Sequence, residues 1–271
     1  MYNMLAPTRP QWLYSGCVPC LTGACGERGR HGADMENGAG AGGEHDTMTN
    51  WASAAADFYG EKDTINVMIA AEVEVILGEI RKKHGTLKAW AATCPGKLYL
   101  SGHSMGAAMA QVIGYLANLK SDPLGMKKPI AAMYLLGPPG VATEALQNGQ
   151  SSDGCFDGFI YYTTVPEGFL PGYGAIADKA VSLLTVTPTG NGFKHAKMAW
   201  TGLNVKAGDS SKESNLLGIG DEAACTTDLP AVYQGMLSNS TLMDKAVAHY
   251  LRLNGDTIGL HDNEPYVYNL P

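Results

Sequence analysis

The stretch "LYLSGHSMGAAMAQVIGYLA", residues 98–117, sets Ser104 between Gly102 and Gly106. A short apolar run of strand type leads in, and a long run rich in Ala and Leu leads out. Five loosely specified positions recur by chance, so a Gly-x-Ser-x-Gly match is informative only in such a context. A tight strand-to-helix turn forces its middle residue into strained backbone angles and tolerates only small neighbours. Gly102 and Gly106 meet that demand, and Ala107 and Ala108 let the helix lie close to a sheet. Ser104 is therefore expected as a nucleophile raised above the sheet. The N–H of Met105, at the positive end of the helix dipole, is expected to face a developing oxyanion. A plain helix cap would explain the serine, but a cap needs no glycine on both sides of it.

Elements of the same two kinds alternate on either side. Upstream, "DTINVMIAAEVEVILGEIRKKHG" (63–85) places Ile65, Met68, Ile69, Val73, Ile76, Leu77 and Ile80 at helical spacing. Asp63 is the expected cap, cations fill the last turn, and Gly85 ends the helix. A short helix is expected in "TNWASAAADFYG" (49–60). Downstream, "PIAAMYLLGPPG" (129–140) and "GFIYYTTVP" (158–166) read as buried strands. "KAVSLLTVTPTG" (179–190) and "KMAWTGLNV" (197–205) read as later strands paired around a TGNG turn, and a last helix is expected over about Ser240 to Leu253. Strands alternating with long helices predict an α/β layer fold with a mainly parallel sheet flanked by helices.

Composition sets bounds on function. The chain has 271 residues, 45% of them hydrophobic and 17% charged, enough for a buried core. Its formal net charge of −7 argues against nucleic acid as a partner, because phosphate binding needs clustered Lys and Arg. Neither a run long and apolar enough to span a membrane nor a charged leader followed by an apolar core is visible. The reading divides the chain into a glycine-rich N-terminal segment, 1–60, with "GERGRHGADMENGAGAGGEH" (26–45) as a long loop, and a main domain, 61–271. The six cysteines are Cys17, Cys20, Cys25, Cys94, Cys155 and Cys225. Cys17 and Cys20 have metal-ligand spacing, but Cys25 follows too closely to begin a second pair, so no metal is expected.

The elbow resembles that of the class 3 (fungal-type) lipases, whose serine sits in Gly-His-Ser-Leu-Gly-Gly-Ala-Leu-Ala. "AMYLLGPPGVAT" (132–143) is similar to the family's next strand, and "NGFKHAKMAW" (191–200) to a later segment in which a structural histidine precedes a strand. The resemblance covers roughly residues 63–255. It implies an α/β-hydrolase fold, carboxylic ester hydrolysis through an acyl-enzyme without a cofactor, and a lipid or other acyl-ester substrate. It also implies transient contact with a membrane or lipid interface.

A serine nucleophile needs a base, usually histidine, oriented by an acid, and in α/β-hydrolases they follow in the order serine, acid, histidine. The chain has His31, His45, His84, His103, His195, His249 and His261. Order removes the first three, and His103 adjoins the serine, a position the resemblance implies is structural. The resemblance favours His249, in "LMDKAVAHYLRLNG" (242–255), where the family carries its base; His195 is the alternative. The family's acid belongs to Asp-x-Val-Pro, which reads Thr163-Thr164-Val165-Pro166 in this chain. Glu167 is the expected acid, with Asp178 and Asp157 as alternatives. The second oxyanion donor, carried by an Arg-Gly-Thr motif in the family, has no counterpart in residues 1–60. The leading expectation is a lipase or phospholipase. The alternatives are a peptidase or thioesterase, or a catalytically inactive relative that binds lipid or a protein partner.

Overall fold

A computed structural model describes residues 55–182, 184–185, 192–205, 216–239, 241–242, 245–246 and 260–261. It opens with an antiparallel hairpin, β1 (Ala55–Phe58) and β2 (Glu61–Asn66). Tyr59 (φ 55°) and Gly60 (φ 88°) turn the chain left-handed between them, the geometry a two-residue hairpin loop needs. This replaces the helix expected over 49–60 at its described end, and the boundary drawn at residue 60 falls inside the hairpin.

Helix α1 (Val67–His84) follows, and its cap differs from expectation. Because β2 pairs with β1 as far as Asn66, the helix starts later than Asp63. Asn66 Oδ1 accepts from the N–H groups of Met68 (3.0 Å) and Ile69 (3.3 Å). The other end is as the sequence predicts: Arg81, Lys82, Lys83 and His84 fill the last turn, and Gly85, at φ 78°, donates to the Arg81 carbonyl at 2.7 Å. Ile69, Ala70, Val73 and Leu77 form its buried face. A short helix, α2 (Leu87–Ala92), leads to the central sheet.

That sheet carries the strands β3 (Leu98–His103), β4 (Ile130–Leu136), β5 (Phe156–Val165), β7 (Met198–Val205) and β8 (Leu216–Thr226) in this order. All neighbours are parallel except β7 and β8. The two-residue strand β6 (Ile176–Ala177) lies antiparallel on the end of β5. Residues 179–182 form a helical turn, α4, in place of the described start of the strand expected over 179–190, most of whose remainder lies outside the described residues; among the described residues β7 pairs with β5 and β8. Helix α5 (Ala231–Ser238) completes the main elements. The helix expected over 240–253 lies mostly outside the described residues.

Helix α3 (Met105–Asn118) joins β3 to β4 and buries nearly its whole length between α1 and the sheet. Its sequence is apolar all round, as such a helix must be. Where it ends, Asn118 clamps the start of β4: Oδ1 accepts from Ile130 N at 2.7 Å and Nδ2 donates to Ile130 O at 3.0 Å. Trp200, Tyr162 and Tyr233 are among the largest fully buried side chains, and Tyr162 packs edge-on against both of the others. On the other sheet face, Leu136, Tyr161 and Leu203 form a smaller cluster. A disulfide joins Cys155, just before β5, to Cys225 in β8 and so ties the antiparallel edge strand to the sheet. Among the described residues no helix is long and apolar enough to cross a membrane.

Candidate active site

The C-terminal ends of β3 and β4 lie beside the middle of β5, with His103 opposite Leu136 and Leu136 opposite Tyr161, and β5 runs four residues further, to Val165. Ser104 is the next residue after β3, and its N–H donates to the Leu136 carbonyl at 2.9 Å. Its backbone stands at φ 55°, ψ −124°, a region that costs a non-glycine residue of order 1–3 kcal/mol. The surroundings impose this. A Cβ on Gly102 would lie 2.4 Å from the Gly106 carbonyl oxygen, so only glycine allows strand and helix to meet this closely. The serine side chain caps nothing. At the first helical position the Met105 N–H has no intrahelical acceptor and stands at the positive end of α3.

The Ser104 hydroxyl donates to His261 Nε2 at 2.7 Å, and His261 Nδ1–H donates to Asp178 Oδ2 at 2.8 Å. The acceptor at one ring nitrogen and the donor at the other require one tautomer of neutral imidazole. Asp178 is fully buried between β6 and α4. Its other oxygen, Oδ1, accepts from Ala180 N at 2.9 Å, its N–H donates to the Thr163 carbonyl at 2.9 Å, and its carbonyl accepts the Tyr233 hydroxyl at 3.0 Å. His261 is held through its main chain: its carbonyl accepts from His103 Nε2 at 2.7 Å, and the carbonyl of Leu260 accepts the Thr163 hydroxyl. The histidine side chain keeps 36% of its surface exposed, so the relay runs from a buried carboxylate through a partly exposed imidazole to a half-buried serine.

Of the residues expected from sequence, Ser104 and Met105 stand together at this site. Asp178, an alternative acid, is the carboxylate that bonds His261, whereas the favoured Glu167 is exposed in the turn after β5 and Asp157 is exposed near that strand's other end. His249 lies outside the described residues. His195 is buried away from the relay; its Nε2 donates to the Pro138 carbonyl at 2.9 Å and its ring meets Trp200 edge-on, while burial pushes its pKa down to about 4. His261, named among the histidines of the sequence but given no role there, is the histidine whose ring meets both Ser104 and Asp178. Chain order was the one signal that pointed to it, since it is the last histidine and follows Asp178. Cys17, Cys20 and Cys25, and most of residues 1–60, where a second oxyanion donor was expected, lie outside the described residues.

A mainly parallel sheet flanked by helices, with a strained serine turn followed in the chain by aspartate and then histidine, is architecture of the α/β-hydrolase kind. No protein-family model and no curated protein matches the chain. Among solved structures it is similar to lipase II from Rhizopus niveus, with 16% identity over 75% of this chain and 61% of that one and a TM-score of 0.38. It is also similar to a mutant form of MDLA from Penicillium cyclopium (16% identity, 77% of this chain and 68% of that one, TM-score 0.43). The Lip2 lipase of Yarrowia lipolytica gives 11% identity, 76% and 67% coverage, and a TM-score of 0.39. The chain thus spans about three-fifths of the Rhizopus niveus lipase. Likeness this distant says nothing about activity.

Proposed function

We propose that this protein is a serine-dependent hydrolase of carboxylic esters, with Ser104 as nucleophile, His261 as base and Asp178 as the acid that orients it. The observation that carries the proposal is the pair of hydrogen bonds linking Ser104 Oγ, His261 and Asp178 Oδ2, at 2.7 and 2.8 Å. The chemistry follows from the geometry. As Ser104 Oγ attacks the ester carbon, its proton passes to His261 Nε2, and the buried Asp178 carboxylate stabilises the resulting imidazolium. The carbonyl oxygen becomes an oxyanion, for which the Met105 N–H and the α3 dipole provide positive potential. Collapse of this intermediate breaks the bond to the alcohol oxygen, which takes the proton from Nε2, and the acyl group stays on Ser104. Water then repeats the cycle: His261 takes its proton, the hydroxyl adds to the acyl carbon, and Ser104 leaves reprotonated.

The resemblance of the elbow to class 3 lipases points to lipid acyl esters as the substrate class. The test is hydrolysis of p-nitrophenyl esters of increasing acyl length, and of emulsified triacylglycerol, by wild type beside Ser104→Ala. Turnover that rises with acyl length and vanishes in Ser104→Ala supports the proposal, and equal turnover by the two proteins refutes it.

A further inference from the structure

We propose that Thr163 is the residue that aligns the acid and base of this relay, a positioning role that rests on the serine-hydrolase reading above. Thr163 is fully buried near the C-terminal end of β5. Its carbonyl accepts the N–H of Asp178, and its hydroxyl donates to the carbonyl of Leu260, the residue before His261. One strand residue thus holds the chain at both the acid and the base, which lie 83 residues apart.

The two holds differ in kind. The first belongs to the main chain: the pairing of Thr164 with Ala177 sets Asp178 beside residue 163 whatever side chain stands there. The second belongs to the side chain. A carbonyl needs a donor, and only a short hydroxyl can donate from this buried place without pushing the turn away. Valine would suit a buried strand position equally well in shape, and burying a hydroxyl is unfavourable unless it is bonded. This hydroxyl is bonded to the carbonyl that adjoins the base.

His103 supplies the complementary hold on the other side, donating to the His261 carbonyl with its ring tilted over the His261 ring at 4.8 Å. Between these two donors the Leu260–His261 main chain is fixed so that the ring meets Asp178 and Ser104 together. Removing the Thr163 hydroxyl loosens one side of that grip. Proton transfer suffers from such a displacement, while ester binding, which does not use the imidazole, is spared.

The experiment compares full-length wild type, Thr163→Val and Thr163→Ser by ester kinetics and by the downfield proton NMR signal of His261 Nδ1–H, identified by its loss in Asp178→Asn. Thr163→Val is expected to lower kcat by about 10- to 100-fold with KM within about twofold, and to shift or broaden the signal. Thr163→Ser is expected to restore both. If Thr163→Val does not fold, Thr163→Ala carries the same expectation. Wild-type kcat and signal in the hydroxyl-free variant would overturn the proposal, as would an equal loss in Thr163→Ser, which would assign the effect to packing. If wild type cleaves no ester, the hydrolase reading fails by itself; the NMR comparison then decides the alignment, and identical signals with and without the hydroxyl overturn it.

Discussion

His261 Nε2 and Ser104 Oγ lie 2.7 Å apart across 157 residues of chain. Among the described residues, no strand pairing brings them together. Ser104 is placed by the elbow, and His261 by main-chain contacts to the side chains of His103, at the end of β3, and Thr163, near the end of β5, two strands separated by β4. These bonds are identifiable, and each can be removed by substitution.

His261→Ala should lose nearly as much esterase activity as Ser104→Ala, about 10³-fold or more, and the double variant should lose little beyond either, because members of a triad act as a unit. His249→Ala is the comparison. Steady-state kinetics on one p-nitrophenyl ester decides between them: a loss at His249 matching that expected at His261 would return the base to the site expected from sequence.

Asp178→Asn should lower kcat by about 10⁴-fold while leaving the fold intact, because an amide donor facing Nδ1 favours the wrong tautomer. Glu167→Gln, at an exposed position, should change kcat by less than about threefold. Circular dichroism of both variants separates lost chemistry from lost structure.

His195 predicts a pH dependence of stability. Burial holds its pKa down to about 4, below the ordinary value of about 6.5, so between those values the unfolded chain binds a proton that the folded protein does not. The contribution is fully present above about pH 6.5 and is lost as pH falls through the window, amounting to about 3 kcal/mol by pH 4. Urea unfolding at pH 7, 5.5 and 4.5 should show the decline, with a shallower slope in His195→Gln. Parallel slopes in the two proteins would contradict it.

Much of the fold was legible because its signals are local. The elbow announces itself within twenty residues as strand, small turn and apolar helix, and Gly85 marks the end of α1. The failures lie where partners far along the chain decide. Ala55–Phe58 looks helical by its alanines until Glu61–Asn66 pairs with it, which also moves the helix cap from Asp63 to Asn66. Strand β8, "LLGIGDEAACT", is weakened by two glycines and two acidic residues; its pairing with β7 and the Cys155–Cys225 bridge hold it at the sheet edge. Asp178 owes its place to a two-residue strand lying on β5, a feature no periodicity reveals. His261 sits in "LHDNEP", with no pattern around it, whereas His249 lies in the late segment where the resembling family carries its base.

Gly102→Ala tests the elbow's packing. The added methyl would meet the Gly106 carbonyl oxygen at 2.4 Å and the Ala107 nitrogen at 2.6 Å, and main-chain atoms cannot move aside cheaply. Esterase activity should fall at least about tenfold, with a melting temperature lower by several degrees. Gly78→Ala, in helix α1 with nothing within 4 Å of the new atom, should instead stabilise the protein by up to about 1 kcal/mol. Equal melting curves for the two variants would show that the elbow is not packed as described.

Activation of Ser104 by His261 is the step on which hydrolysis depends. Reaction of the purified protein with a fluorophosphonate, followed by intact-mass and peptide mass spectrometry, measures this directly. The predicted result is a single adduct on Ser104, absent from Ser104→Ala and formed far more slowly in His261→Ala. A wild type that takes up no label, or a His261→Ala variant labelled on Ser104 as fast as wild type, would contradict it.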